Sequence, residues 1–389
     1  DDIQQGNVAI DFGTSSTVVA LKRNGRDELL RIGLKDFYTE PIPEHYENPT
    51  VLEMVDFELF LYDWTSEAYR PLVNWDTVRC SHEAREELRK SENNAQKMGS
   101  ILLRLKQWAL RDSENYKVKF KDQEGYVHEL ASLVERNPVK GQAFTVDKNY
   151  PFDPIELYAW FLGLTINWRQ RGIFLHYYMT FPVAYPSEVK NKILSSFRRG
   201  LQRSLPAGLT NHPKFAEFSV EERASEPAAF AAAALETLQI APVDGGVAYA
   251  VFDFGGGTTD FDYGFYRLPT EAEADEWEHV LEHFGSSGDK FLGGENLLEN
   301  LAYLVFCANL DVCRKHEIAF TQPLDALPFA GSELLITNTQ AAYTNTNMMM
   351  SKLRPLWEKG EKNKDSTGTT KVKLVNRQGA LVECDLKIK

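Results

Sequence analysis

The sequence holds little cysteine, no long apolar run and no surplus of basic charge, and each shortage removes a class of protein. Cysteine occurs four times in 389 residues, at Cys80, Cys307, Cys313 and Cys384. These spacings fit neither a disulfide framework nor paired zinc knuckles, so buried free thiols in a reducing, cytoplasmic setting are expected. No run of roughly eighteen apolar residues occurs, so no membrane-spanning helix is expected. Acidic residues outnumber basic ones, 56 to 43, for a formal net charge of -13. A surface that binds nucleic acid carries the opposite sign to neutralise phosphates, so no nucleic-acid partner is expected. Asp1-Asp2-Ile3 offers neither an initiator methionine nor a signal-peptide core, which reads as the start of a trimmed segment. Two familiar phosphate-binding patterns are also missing, the P-loop G-x-x-x-x-G-K-[ST] and a strand-linked G-x-G-x-x-G.

What is present is a chain with 43% hydrophobic and 25% charged residues, long enough for two or three structural units. Near its start, Val8 to Phe12 reads as a buried strand that runs through Gly13-Thr14-Ser15-Ser16 into a second, Thr17 to Leu21. Asn24-Gly25 suits a tight hairpin turn, and Arg26 to Ile32 completes a meander. The pattern recurs far downstream. Val247 to Phe252 leads into Asp253-Phe254-Gly255-Gly256-Gly257-Thr258-Thr259-Asp260, and Phe261 to Tyr266 resumes the strand. Each copy is strand, Asp-Phe-Gly, small residues, strand, which points to a duplicated fold with two similar halves facing one cleft. Glycines let backbone N–H groups approach a phosphate, and the hydroxyls of Thr14, Ser15, Thr258 and Thr259 add donors. A carboxylate at each strand end, Asp11 and Asp253, can organise a hydrated magnesium ion.

These paired hairpins resemble those of the actin, sugar-kinase and DnaK superfamily, and further segments are similar to the DnaK (heat-shock protein 70-like) branch. Asn48-Pro49-Thr50-Val51 resembles the segment after its first meander, and Leu103-Arg104-Leu105-Lys106-Gln107 the stretch carrying its phosphate-facing lysine. Asp153-Pro154-Ile155-Glu156-Leu157 opens a helix with an N-cap, a first-turn proline and an N3 glutamate. Tyr178 to Tyr185 resembles the strand before a long helix, here Ser187 to Leu201. Ser225-Glu226-Pro227-Ala228-Ala229 is similar to the family's Asn-Glu-Pro-Thr-Ala, and Gly288 to Asn296 to its Gly-Asp-x-x-Leu-Gly-Gly-Glu-Asp. The matches run in family order from Val8 to about Leu374. The family's adenosine turn, Gly-Gly-x-Ser-Arg-x-Pro, is not among the 389 residues.

The resemblance implies an α/β, actin-like ATPase fold: two duplicated ribonuclease H-like lobes around a nucleotide cleft, with inserted sub-lobes. Residues 1–34 and 151–245 would form the core of lobe I, 35–150 its inserted sub-lobe, 246–292 an incomplete lobe II core, and 293–389 the second sub-lobe. It also implies hydrolysis of ATP to ADP by water attack with Mg2+. Asp11 and Asp253 would hold the metal's water shell. Gly13, Thr14, Ser15, Gly255, Gly256, Gly257 and Thr258 would cradle the phosphates, with Gly293 and Gly294 alongside. Lys106 would neutralise the γ-phosphoryl group, and Glu226 with Asp260 would orient water and metal. Glu361 and Lys364 fit the family's Glu-x-x-Lys pair for adenosine. Taken alone, Lys106 also suits an exposed helix face, Glu226 a helix-start carboxylate, and 359–365 a solvated charged face. The implied activity is a chaperone-type ATPase switch acting on a protein partner or client. The alternatives are a degenerate or nucleotide-sensing scaffold, a filament-forming actin relative, and a small-molecule kinase or phosphatase.

Overall fold

The computed structural model describes residues 2–23, 25–33, 38–91, 94–112, 117–167, 171–324, 326–359 and 369–388, so the expected adenosine contacts Glu361 and Lys364 lie outside it. The chain is mixed α/β, with several small sheets and ten α-helices among the described residues. None of those helices is long and apolar enough to cross a membrane.

The largest sheet is built on alternation. Along Asn7–Phe12 every second residue is buried, and His176–Phe181 alternates likewise. These two strands pair in parallel, Val8 opposite Tyr177 and Ile10 opposite Met179, so their apolar sides fall on one face. Ser219–Ser225 extends the sheet beyond His176–Phe181, and Ser16–Arg23 with Arg26–Leu29 completes the meander on the other side. The third meander strand stops at Leu29, short of the expected Ile32, because the Ile32 N–H is taken at 2.7 Å by the Asn48 side chain.

Two helices pack on this sheet, Pro154–Ile166 and Ser187–Arg203. Asp153 caps the first, its Oδ1 accepting from the N–H of Ile155 and Glu156. Glu156 does not complete a capping box. It is fully buried and accepts from Arg199 Nε at 2.6 Å, Arg203 Nη1 at 3.1 Å and Tyr150 Oη at 2.8 Å. One core joins Val8, Ile10 and Phe12 to Phe57, Phe60 and Trp64 from the 35–150 segment. Of the described aromatics in that segment, Tyr38, Tyr62, Trp75 and Tyr126 remain exposed.

A second core gathers Leu298, Phe306, Met349, Leu374 and Leu386 from helices Gly294–Ala308 and Gln340–Lys359 and the hairpin Thr369–Val375/Leu381–Lys387. A separate antiparallel sheet comprises Val247–Phe254, Thr259–Arg267 and Val280–Asp289. One face meets helix Glu226–Thr237. On the other face Phe252, Phe254, Phe261 and Tyr263 are all about half exposed or more. All four cysteines are free, with Cys80, Cys313 and Cys384 buried and Cys307 half-buried.

The cores are tied by a buried ion pair. Glu299 accepts from Arg111 Nη1 at 3.0 Å, and Arg104 Nη1 lies 3.4 Å from its other oxygen. Burial pushes the Glu299 carboxyl up, but the Arg111 and Arg104 guanidiniums outweigh it and hold it below the usual carboxylate range. A depressed acid contributes stability above its unfolded pKa that is lost as pH falls through the folded one. Glu299→Gln removes the carboxylate charge that faces two buried guanidiniums and should cost about 3 kcal/mol at pH 7 in urea unfolding. The gap from the unmodified protein should close as pH drops below about 4.

Candidate functional site

The two Asp-Phe-Gly hairpins have the same geometry. Phe12 pairs with Thr17 and Phe254 with Thr259, so a four-residue tip closes each, Gly13 to Ser16 and Gly255 to Thr258. Their surroundings differ. Phe12 is fully buried, its ring 5.0 Å from that of Phe197, whereas Phe254 is 46% exposed. Opposite Asp11 stands Val18, and opposite Asp253 stands a second carboxylate, Asp260.

The tips meet. A Cβ on Gly256 would lie 2.7 Å from Ser15 Oγ and 3.5 Å from Thr14 Cβ, and one on Gly257 would collide with Thr14 Oγ1 and the Gln107 amide. Gly293 presses equally closely on the Gly257 backbone, so these contacts require residues without side chains.

The tip carbonyls are tied from behind. Thr50 holds the first hairpin, its N–H donating to Ser15 O at 3.1 Å and its Oγ1 to Gly13 O at 3.0 Å. Asn48 anchors that clamp: it is fully buried, and its Nδ2 donates to Thr17 O and Tyr46 O. In the second hairpin, Gly255 O accepts from Gly294 N–H at 3.0 Å, Gly256 O from Glu295 N–H at 2.8 Å, and Gly257 O from Asn296 Nδ2 at 3.0 Å. Among the described residues nothing accepts from the N–H of Gly256 or Gly257. Thr259 Oγ1 donates to Leu292 O at 2.5 Å, so it braces the hairpin instead of adding a donor to the cleft.

Beside the tips a charge cluster assembles from four distant segments. Lys106, on helix Leu105–Asp112, is 3% exposed, and its Nζ lies 2.5 Å from Glu226 Oε1. The lysine is therefore not on an exposed face, and the glutamate at the start of helix Glu226–Thr237 has a specific partner. The Lys106 ammonium also stands 5.6 Å from the Tyr185 ring centre. Burial, with the charges of Asp11 and Asp260, raises the Glu226 carboxyl to about 7 against the pull of Lys106. Asp253 is raised by burial and by Asp260 and Asp11. Asp260 is 1% exposed; its Oδ1 accepts from Val183 N–H at 2.7 Å, while its Oδ2 has no hydrogen-bond partner. Tyr185 Oη is likewise buried without a partner, and burial and these carboxylates push its pKa well up. Thr180 Oγ1 stands 3.5 Å from Asp11 Oδ1.

The structure thus brings together Asp11, Lys106, Glu226, Asp253 and Asp260, and sets Thr14, Ser15, Gly256 and Gly257 at the meeting point of the hairpins. Gly293 and Gly294 stand behind the second hairpin as its support. Sequence reasoning missed Thr50, Tyr185 and Gln107 as members of the site, although all three lie in segments singled out by motif. A cavity of about 250 Å³ opens beside Thr14 and Ser15, reaching Arg85, Arg89, Arg354 and Glu358. Burial and the neighbouring Arg89 and Arg354 cations push the Arg85 guanidinium down, although Arg354 is itself paired with Glu295 and Glu358.

Among the described residues, no three His, Cys, Asp or Glu side chains are gathered to ligate a metal directly. No protein-family model matches the chain, and no curated protein matches it.

Asp253 is a raised acid: its folded pKa lies above the unfolded value, so its ionisation weakens the fold as pH rises through that interval. Asp253→Asn removes this repulsion and should raise the urea midpoint of the ligand-free protein at pH 7, by less than about 1 kcal/mol. A lowered midpoint would show that the carboxylate is stabilising and that the repulsion is not felt.

Proposed function

We propose that this chain is an ATP-binding, ATP-hydrolysing module with the actin-like fold, its motifs resembling the nucleotide-binding part of DnaK-type chaperones. The observation that carries the reading is the convergence of two equal-length Asp-Phe-Gly hairpins, tip to tip, beside a lysine and four carboxylates drawn from separate segments. With the carbonyls of Gly13, Ser15, Gly255, Gly256 and Gly257 bonded away, the tips offer N–H groups and hydroxyls, the donors that phosphate oxygens accept. The cavity beside Thr14 and Ser15 offers room for a nucleoside attached to phosphates held between the tips.

The donor set also fits magnesium. Asp11, Asp253 and Asp260 are hard oxygen donors whose mutual repulsion a cation would relieve, and Asp260 Oδ2 is buried without a partner. Asp11 and Asp253 would hold the ion through its water shell. Bound there, Mg2+ supplies charge neutralisation for the phosphates.

The protein's own contribution is positioning and electrostatics. Lys106 brings a desolvated positive charge to the phosphates. Glu226, raised to about 7, is poised to accept a hydrogen bond from the attacking water and then its proton, which is the range a general base requires. Closure of the tips on nucleotide, relaxed after hydrolysis, would couple this chemistry to a protein partner or client.

Isothermal titration of Mg-ATP and Mg-ADP into the 389-residue chain tests the reading. Micromolar or tighter binding is expected, falling at least about tenfold in Asp253→Ala and Lys106→Ala. Absence of binding by the unmodified chain would sink it and favour the scaffold alternative. If hydrolysis is present, kcat/KM should rise with pH to a plateau through an apparent pKa of about 7. Glu226→Gln should abolish that limb and lower the rate by roughly a hundredfold or more; an unchanged profile would remove Glu226 from the role.

A further inference from the structure

Gln107 follows Lys106 in helix Leu105–Asp112, and its side chain has no partner. The amide is 1% exposed, and neither Nε2 nor Oε1 makes a hydrogen bond within the protein. Its neighbours on the same helix are committed: Lys106 to Glu226, Arg111 to Glu299, and Asp112 Oδ2 to the N–H of Leu133 at 2.9 Å. The unsatisfied amide lies where the hairpin tips meet. A Cβ on Gly257 would clash with Gln107 Nε2 and lie 3.0 Å from its Cδ, and the same Cβ would reach Thr14 Oγ1.

A buried amide with no partner forfeits its hydration, a loss an apolar side chain of equal length would avoid. Native structures rarely leave such groups without a reason. Here the surroundings are the two glycine tips, whose carbonyls already accept from Thr50, Gly294, Glu295 and Asn296. An acceptor that enters between the tips would satisfy Nε2. Phosphate oxygens only accept, and the unclaimed N–H groups of Gly256 and Gly257 call for the same chemistry.

We infer that Gln107 is a phosphate-contacting residue, its Nε2 donating to oxygens of a phosphate chain held between the two hairpins. This rests on the nucleotide reading above and assigns it a ligand contact outside the lysine and carboxylate set. A neutral donor suits the position. Lys106 already brings the positive charge, and Arg104 and Arg111 are drawn off to Glu299.

The test pairs stability with binding in the 389-residue chain, using Mg-ATP and Mg-tripolyphosphate as probes, the latter having no nucleoside. Gln107→Met keeps length and volume but removes the donor. Its ligand-free urea midpoint should equal or exceed that of the unmodified protein, and its affinity for both probes should fall about tenfold to a hundredfold. Gln107→Glu, which sets a carboxylate against phosphate, should weaken both probes further. Retention of full affinity by Gln107→Met, with Asp253→Ala still losing it, overturns the assignment and leaves the nucleotide reading standing. A Gln107→Met protein that is destabilised yet binds both probes normally makes the amide structural and also overturns it. No binding of either probe by the unmodified chain overturns both readings together.

Discussion

One ammonium group, Lys106, stands among four carboxylates, and the surrounding elements impose that imbalance on the site. At about 4 Å, in an effective dielectric near 20, two unit charges interact by about 4 kcal/mol. A single lysine can offset one carboxylate at that scale, and Lys106 is committed to Glu226 at 2.5 Å. The remaining repulsion among Asp11, Asp253 and Asp260 persists because backbone pairing fixes Asp11 in one hairpin and the other two opposite one another in the second. Asp11 and Asp253 end paired strands, and Asp260 is held by the Val183 N–H. Lys106 itself is placed by a helix whose residues are buried throughout and which is anchored through Arg111 to Glu299. The turn into that helix places Arg104 at φ +57°, a left-handed conformation costing roughly 1–2 kcal/mol for a residue with a side chain. Strain, an unpaired carboxylate oxygen and an unpaired amide are thus concentrated within one small volume.

The glycine tips show a second constraint, that of hydrogen-bond accounting. A backbone carbonyl and N–H in a tight turn compete for space, so which of them is satisfied decides what the turn presents. Carbonyls of both hairpins are satisfied from outside, Gly13 and Ser15 by Thr50 and Gly255 and Gly256 by the start of helix Gly294–Ala308. The helix's first N–H groups, which have no intrahelical acceptor, find theirs in Gly255 and Gly256. That helix end is therefore spent on shaping the hairpin, and the donors left over belong to the hairpin itself.

Much of this was legible in the sequence, and its limits are physical. The duplicated Asp-Phe-Gly pattern, the alternating strands and the Asp153 cap are local signals, and local geometry preserves them. The convergence of Lys106 with Glu226, 120 positions apart, followed only from a resemblance, because no periodicity reports on such a contact. Glu156 illustrates the reverse case. Its spacing from Asp153 has the form of a capping box, yet two arginines of the facing helix draw it inward. Gln107 and Tyr185 were invisible as site members because an unsatisfied hydrogen bond is a property of surroundings, not of residue type.

The two hairpins share a pattern but not a foundation, and this asymmetry decides how force would pass between them. The first is continuous with a core that includes Phe12, Phe197 and Tyr158, so its tip is fixed by close packing that resists displacement. The second belongs to a sheet with one half-exposed aromatic face, and its tip is held by three hydrogen bonds to the start of helix Gly294–Ala308. A shift of that helix would carry Gly255, Gly256 and Gly257 through these bonds, whereas Gly13 and Ser15 are held by Thr50 instead. The same helix carries Glu299, which grips Arg111 on the helix of Lys106. The second tip, the helix of Lys106 and the second core are therefore linked through one element, the helix that carries Gly294, Glu295 and Glu299.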